Sequence, residues 1–146
     1  MTVPHYPTGG ENFHQASRST FAEGTGPLRE ITVELRTVGS VLPDPPHPTT
    51  FIKCDVEGHE AEALEGAART IERDRPALCV EISGDPDAAG SPSCGIVSSL
   101  ARLGYEAYWL DGGRLARRRR GDRSVNYFFL TEAHRSRLRG RGILLT

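Results

Sequence analysis

The chain has 146 residues, 37% of them hydrophobic and 25% charged, with a formal net charge of −1. That size and balance suit one globular domain with a modest core and exclude a disordered chain; the charge argues neither for nor against a charged partner. The opening MTVPHYPTGG lacks the basic and apolar regions of a signal peptide, and no apolar run reaches the roughly 20 residues that span a bilayer. Cys54, Cys79 and Cys94 are odd in number and show no Cys-x-x-Cys spacing, which argues against a disulfide framework or structural zinc and makes the cytoplasm the expected compartment.

Residues 1–30 are rich in Gly, Pro, Ser and Thr and read as loop, with one short strand near 2–6. Ile31, Val33 and Leu35 alternate with polar neighbours, which predicts a half-buried strand. LPDPPHP at 42–48 holds four prolines and can only connect. Residues 49–54 form a continuous β-prone run, the pattern of a strand buried on both faces. From 60 to 74, Leu64, Ala67, Ala68 and Ile71 share one side, which predicts an amphipathic helix stopped by Pro76. Further strands are predicted at 77–82, 105–110 and 125–130, with helices at 95–103 and 131–139. Strand, helix, strand, helix, strand implies right-handed crossovers in an open α/β sheet, mostly parallel. The segment 125–130 returns after a short Gly-rich turn, as one antiparallel strand at the end of that sheet. In such sheets ligands gather outside the carboxyl ends of the strands.

One such end carries Asp55-Val56-Glu57-Gly58-His59-Glu60, four ionisable groups in six residues. Asp55 ends the strand, and a carboxylate there pays desolvation unless something polar meets it. Gly58 permits a tight turn with positive φ. Glu57 and Glu60 sit where the next helix begins: they either serve the helix dipole, worth on the order of 0.3–1 kcal/mol each, or hold acceptor hydroxyls. His59 has the chemistry of a general base near neutral pH or of an exposed helix-entry residue. Mg²⁺ or Mn²⁺ binding by this oxygen-rich cluster needs more distant ligands, and none is identifiable, so no metal is expected.

The stretch FIKCDVEGHEAEALEGA resembles the signature of the FkbM family of S-adenosylmethionine-dependent methyltransferases, I-K-x-D-V-E-G-x-E…L-x-G-A. Ile52, Lys53, Asp55, Val56, Glu57, Gly58, Glu60, Leu64, Gly66 and Ala67 carry the match. RPALCVEI at 75–82 is similar to the family's next strand, and ITVELRTVGSVL at 31–42 resembles its V-x-V-x-T-L-D-D-L-L segment, with Gly39 and Ser40 in place of the acidic pair. The resemblance runs from about residue 12 to 130. It implies the C-terminal half of a Rossmann-like, doubly wound sheet ordered 3-2-1-4-5-7-6, in which 49–54, 77–82 and 125–130 are the fourth, fifth and seventh strands. On this reading 1–30 is a loop-rich leading segment, 31–132 the FkbM-like half-domain and 133–146 a basic tail.

The resemblance also implies S-adenosylmethionine as cofactor and O-methylation of a small molecule or sugar. Asp55 is the first candidate for base or acceptor-orienting group, followed by His59. Glu57, Glu60 and Ser17, the last within a polar NFHQASRS loop, are candidate substrate contacts. Cofactor contact comes only from the Asp55 rim, because the D-x-G-A-N-x-G turn that lies against the cofactor's methionine portion does not occur in these residues. The chain alone is therefore expected to be inactive, with a longer gene, a separate chain or a dimer partner supplying the other half. The alternative is a catalytically silent remnant or binding module of the same fold. Loss of the first three strands would leave one flank of 49–54 bare and favour self-association. The run ARRRRG at 116–121 lacks interleaved aromatics and reads as a solvated loop rather than a nucleic-acid site; neither nucleic acid nor membrane is an expected partner.

Overall fold

The computed structural model describes residues 2–4, 28–30, 32–42 and 47–143. The chain divides into two compact units, Met1–Arg36 and Thr37–Thr146. In the first, β1 (Thr2–Pro4) pairs antiparallel with β2 (Leu28–Glu30), Val3 opposite Arg29. The strand predicted from Ile31, Val33 and Leu35 does not form over the described part of that stretch. Residues 32–37 are irregular, and Val33 and Leu35 are 51% and 75% exposed. Alternation of three apolar residues is a weak signal without a partner ladder to hold the backbone.

The second unit contains α1 (Val38–Val41), β3 (Phe51–Cys54), α2 (Glu60–Gly66), α3 (Ala68–Asp74), β4 (Ala77–Glu81), α4 (Pro92–Arg102), β5 (Glu106–Asp111), β6 (Arg114–Arg117), β7 (Asn126–Leu130) and α5 (Glu132–Arg139). Its five strands form a sheet ordered β3-β4-β7-β5-β6. Among the four pairings only β3–β4 is parallel; β4–β7, β7–β5 and β5–β6 are antiparallel. The mostly parallel expectation is corrected accordingly. β3, β4 and β5 do share one direction, but β7 inserts between β4 and β5 rather than ending the sheet. A hairpin strand, β6, then covers the β5 edge. Reading along the sheet, β3, β4, β7 and β5 stand in the 4-5-7-6 positions of the implied order, and β6 is an addition.

Side-chain alternation along each strand splits the core between the two faces. Leu78 and Val80 of β4 and Tyr127 and Phe129 of β7 meet Leu64, Ile71, Ile96 and Leu100 from α2, α3 and α4. On the other face Tyr108, Leu115 and Leu130 pack with Leu138 of α5. The single helix expected over 60–74 is two, broken at Ala67 (φ −99°, ψ 0°). The break follows Gly66, a poor helix former, which packs against Thr37. β3 is an edge of this sheet, not a strand buried on both faces: Phe51 is 53% exposed, while Ile52 and Cys54 face the core.

Two corners hold the register. Asp74, at the end of α3, accepts the Thr49 amide at 2.9 Å and so ties that helix to the start of β3. Arg75 turns the chain into β4 with φ 53°, its guanidinium 5.0 Å over the Tyr105 ring, while Tyr105 Oη donates to the Pro76 carbonyl at 2.8 Å. α4 starts at Ser91, whose hydroxyl accepts the Cys94 amide, with Pro92 in the first turn. Phe129 is 1% exposed at the centre of the sheet. Phe129→Ala is expected to lower unfolding free energy by about 3–5 kcal/mol in urea denaturation, with the m-value unchanged.

Candidate active site

Parallel pairing sets Cys54 opposite Val80, so the next residues, Asp55 and Glu81, emerge side by side at the carboxyl ends of β3 and β4. By strand parity both side chains lie on the face of Lys53 and Cys79, away from α2 and α4. Asp55 is not sealed beneath a helix: its side chain keeps 35% of its exposure, and Oδ2 accepts from Lys53 Nζ at 2.6 Å. Glu81 is half-buried and hydrogen-bonded to Asp55. Two carboxyl groups in that contact cannot both be ionised at low cost, so one keeps a proton and donates it to the other.

The surroundings decide which one. The Lys53 ammonium first, and the Glu81 hydrogen bond second, hold Asp55 below the ordinary carboxylate range. For Glu81 the hydrogen bond to Asp55 comes first, then burial, then the charges of Asp55, Glu57 and Glu60; together they push it up to about 7. Asp55 is thus the anion and Glu81 the acid of the pair. Glu81 is absent from the residues that the sequence motif singled out. Its signal lay in RPALCVEI, a buried strand ending in a carboxylate next to the strand that ends in Asp55.

The loop between β3 and α2 follows from one buried side chain. Glu60 is 4% exposed, and its Oε1 accepts the backbone amides of Val56 and Gly58, each at 3.1 Å. The carboxylate, in the first turn of α2, also lies at the positive end of the helix. Glu57 and Gly58 both adopt positive φ, 53° and 92°. Glycine does so freely, whereas Glu57 pays about 1–2 kcal/mol, which Glu60 offsets by fixing the turn. Glu57 is exposed at the rim.

His59 takes the N-cap position of α2 without a capping bond. It is not a fully exposed helix-entry residue: the side chain is 25% exposed, and neither ring nitrogen has a hydrogen-bond partner among the described residues. The Glu62 carboxylate stands 3.9 Å from Nδ1. The structure therefore brings Asp55 and Glu81 together, turns Glu60 under the loop, and leaves Glu57 at the surface. Ser17 lies outside the described residues.

Elsewhere the Arg run is not a wholly solvated loop. Arg117 belongs to β6 and pairs with Glu106 at 3.1 Å. Arg118 is 9% exposed, hydrogen-bonded to the Asp87 carboxylate and stacked 5.8 Å from the centre of the Tyr127 ring. Asp87 also takes the Gly121 amide at 2.8 Å and Arg123 Nη1 at 3.0 Å. A carboxylate met by two guanidinium groups and an amide stays ionised when buried, which lets the polar run fold inward. Arg119 and Arg120 remain exposed. A cavity of about 430 Å³, lined by Leu64, Ile71, Ile96, Leu100 and Leu103 among others, opens between α2–α3 and α4, apart from the carboxylate pair. Among the described residues no group of three or more His, Cys, Asp or Glu is arranged to hold a metal ion, and no helix is long and apolar enough to cross a membrane.

In open α/β sheets ligands bind outside the carboxyl ends of the strands, and the carboxylate rim of Asp55 and Glu81 lies at such an edge. The family model of the methyltransferase FkbM domain matches residues 3–107, and the chain belongs to that family. No curated protein and no solved structure matches it.

Glu60→Ala leaves the Val56 and Gly58 amides without acceptors and is expected to destabilise the chain by about 1–3 kcal/mol. Amide hydrogen exchange should accelerate first at 56 and 58, with Glu60→Gln retaining most of the protection. A second expectation concerns pH. Folded Glu81 holds its proton up to about pH 7, whereas an unfolded glutamate titrates near about 4.3. The folded state therefore binds more protons across that window, so this contribution to stability is complete below the window and lost as pH rises through it. The depressed Asp55 acts in the opposite sense at more acid pH. The melting temperature followed from pH 5 to pH 8 should lose this fall in the Glu81→Gln variant.

Proposed function

We propose that the chain is the acceptor-side part of an S-adenosylmethionine-dependent O-methyltransferase acting on a hydroxyl group of a small molecule or sugar. The observation that carries this reading is the solvent-accessible Asp55 carboxylate at the carboxyl end of β3, within a chain of the FkbM methyltransferase family. The anionic Asp55, with Glu57 at the rim, suits the reacting end of a sulfonium donor, which is cationic, and Asp55 is the residue of this chain that would flank it. The D-x-G-A-N-x-G turn that the family resemblance places against the methionine portion of the donor does not occur in these residues. We assign that part of the site to residues outside this sequence, in a longer form of the chain, a separate chain or a dimer partner.

When bound, S-adenosylmethionine supplies an activated methyl group. What these residues contribute is alignment and proton management. Asp55, held by Lys53 at 2.6 Å, is a fixed anion that orients the acceptor. Glu57 stands at the rim where further hydroxyls would be held. The half-buried imidazole of His59, whose ring nitrogens make no hydrogen bond among the described residues, borders the same loop.

Two measurements test this. Calorimetric titration of the chain alone with S-adenosylmethionine should show weak or no binding; low-micromolar affinity overturns the divided site. Mixed with an FkbM-type N-terminal half bearing D-x-G-A-N-x-G, the chain should transfer radiolabelled methyl groups to hydroxylated small molecules or sugars. Asp55→Ala should lower that rate by about 10²-fold, the scale on which misplacing an acceptor costs. Transfer that is absent from the mixture leaves the silent binding module as the correct description.

A further inference from the structure

We infer that Glu81, rather than Asp55, takes the proton of the acceptor hydroxyl, with Asp55 and Lys53 acting as the pair that positions it. This inference deepens the methyl-transfer reading above and rests on it. Its basis is placement. Cys54 and Val80 are partners in the one parallel ladder of the sheet, so Asp55 and Glu81 must share the same carboxyl edge. Asp55 is committed to Lys53 at 2.6 Å, an ion pair that makes it a firm anion and a poor proton acceptor.

Glu81 has the opposite surroundings. On the β3 side it meets Asp55, and the charges of Glu57 and Glu60 reach it from the loop. On the other side its partner across the β7 ladder is Asn126, which carries no charge. Lys53 is the nearby cation, and its ammonium bonds to Asp55, not to Glu81. Among the described residues no Lys, Arg or His forms an ion pair with Glu81. A carboxyl group crowded by three carboxylates and half-buried binds a proton strongly, and its titration at about 7 matches that of an efficient base in neutral solution. Asp55 alone does not offer this.

Ionised Glu81 receives the proton as the acceptor O–H bond breaks, becoming a neutral acid that donates a hydrogen bond to Asp55. The acceptor oxygen forms the new O–CH₃ bond, and the electron pair of the broken S–CH₃ bond stays on the donor sulfur as a neutral thioether. Glu81 then returns its proton to water.

The test has a readout independent of turnover. In the full chain labelled with ¹³C at glutamate carboxyls, the Glu81 resonance should titrate at about 7, and Asp55→Asn should bring it down by about one pH unit or more as the hydrogen-bonded anion is removed. Titration of Glu81 in the ordinary range near about 4.3 overturns the inference. In the reconstituted transfer assay, kcat/KM of the wild type should rise with pH through the same midpoint. Glu81→Gln should abolish that limb and lower the rate by about 10²–10⁴-fold, whereas Asp55→Asn should keep a limb displaced to lower pH. Transfer whose acid limb survives Glu81→Gln overturns the inference and leaves the methyl-transfer reading standing. No transfer by the wild type overturns both. Should Glu81→Gln fail to fold, the wild-type titration, assigned through the backbone, decides.

Discussion

The parallel ladder between β3 and β4 is the contact on which the rest of the site depends. It is the only parallel pairing among the described strands, and it runs from Phe51 opposite Ala77 to Cys54 opposite Val80. Parallel strands end at the same edge, so whatever follows each of them is delivered to one place. Here that is a carboxylate from each. Strand parity then directs both away from α2 and α4, leaving them clear of the helix-covered core. A slip of one residue would turn Asp55 or Glu81 to the opposite face and abolish the pair. The register is secured from outside the ladder, by Asp74 on the Thr49 amide and by the Tyr105–Pro76 bond at the entry to β4.

Around that pair the charges are arranged asymmetrically. One cation, Lys53, is placed two residues before Asp55 on the same strand face, while Glu57 and Glu60 add negative potential from the loop. Identical carboxyl chemistry on two neighbouring strands thus splits into a firm anion and a proton carrier, the pattern expected where one group orients and the other exchanges protons. Glu60 contributes to this field and also builds the loop. Its carboxylate satisfies two amides that the consecutive positive φ angles of Glu57 and Gly58 would otherwise leave unpaired. The strained residue is at the rim and the compensating one is buried.

The sheet reconciles a methyltransferase-type strand order with mostly antiparallel pairing through one inserted strand, β7, and one added hairpin strand, β6. β7 enters between β4 and β5, so these two strands of common direction do not touch, and its Tyr127 and Phe129 are the largest fully buried side chains among the described residues. The loop before β7 is pinned by the Arg118–Asp87 pair and by the Ser124 amide on Tyr127 Oη at 2.8 Å. That pinning explains why a run of arginines lies in part inside the fold.

Much of the candidate site was legible in the sequence because it is local. A β-prone run ending in Asp55, a glycine that permits the turn and a carboxylate in the first helical turn depend on neighbours within six residues. The FkbM signature is written in that same stretch, and the approximate places of β3, β4, β5, β7, α4 and α5 follow from short-range periodicity and breakers. What tertiary structure alone decided is long-range. Glu81 lies 26 positions after Asp55, and only pairing of their strands makes it part of the site. The insertion of β7, the edge position of β3, the inward turn of Arg118 and the division of 60–74 into two helices likewise depend on which distant surface each segment meets. Local sequence sets the conformations a segment prefers, whereas hydrogen-bond ladders and burial between remote segments select which of them persist and which side chains share a proton.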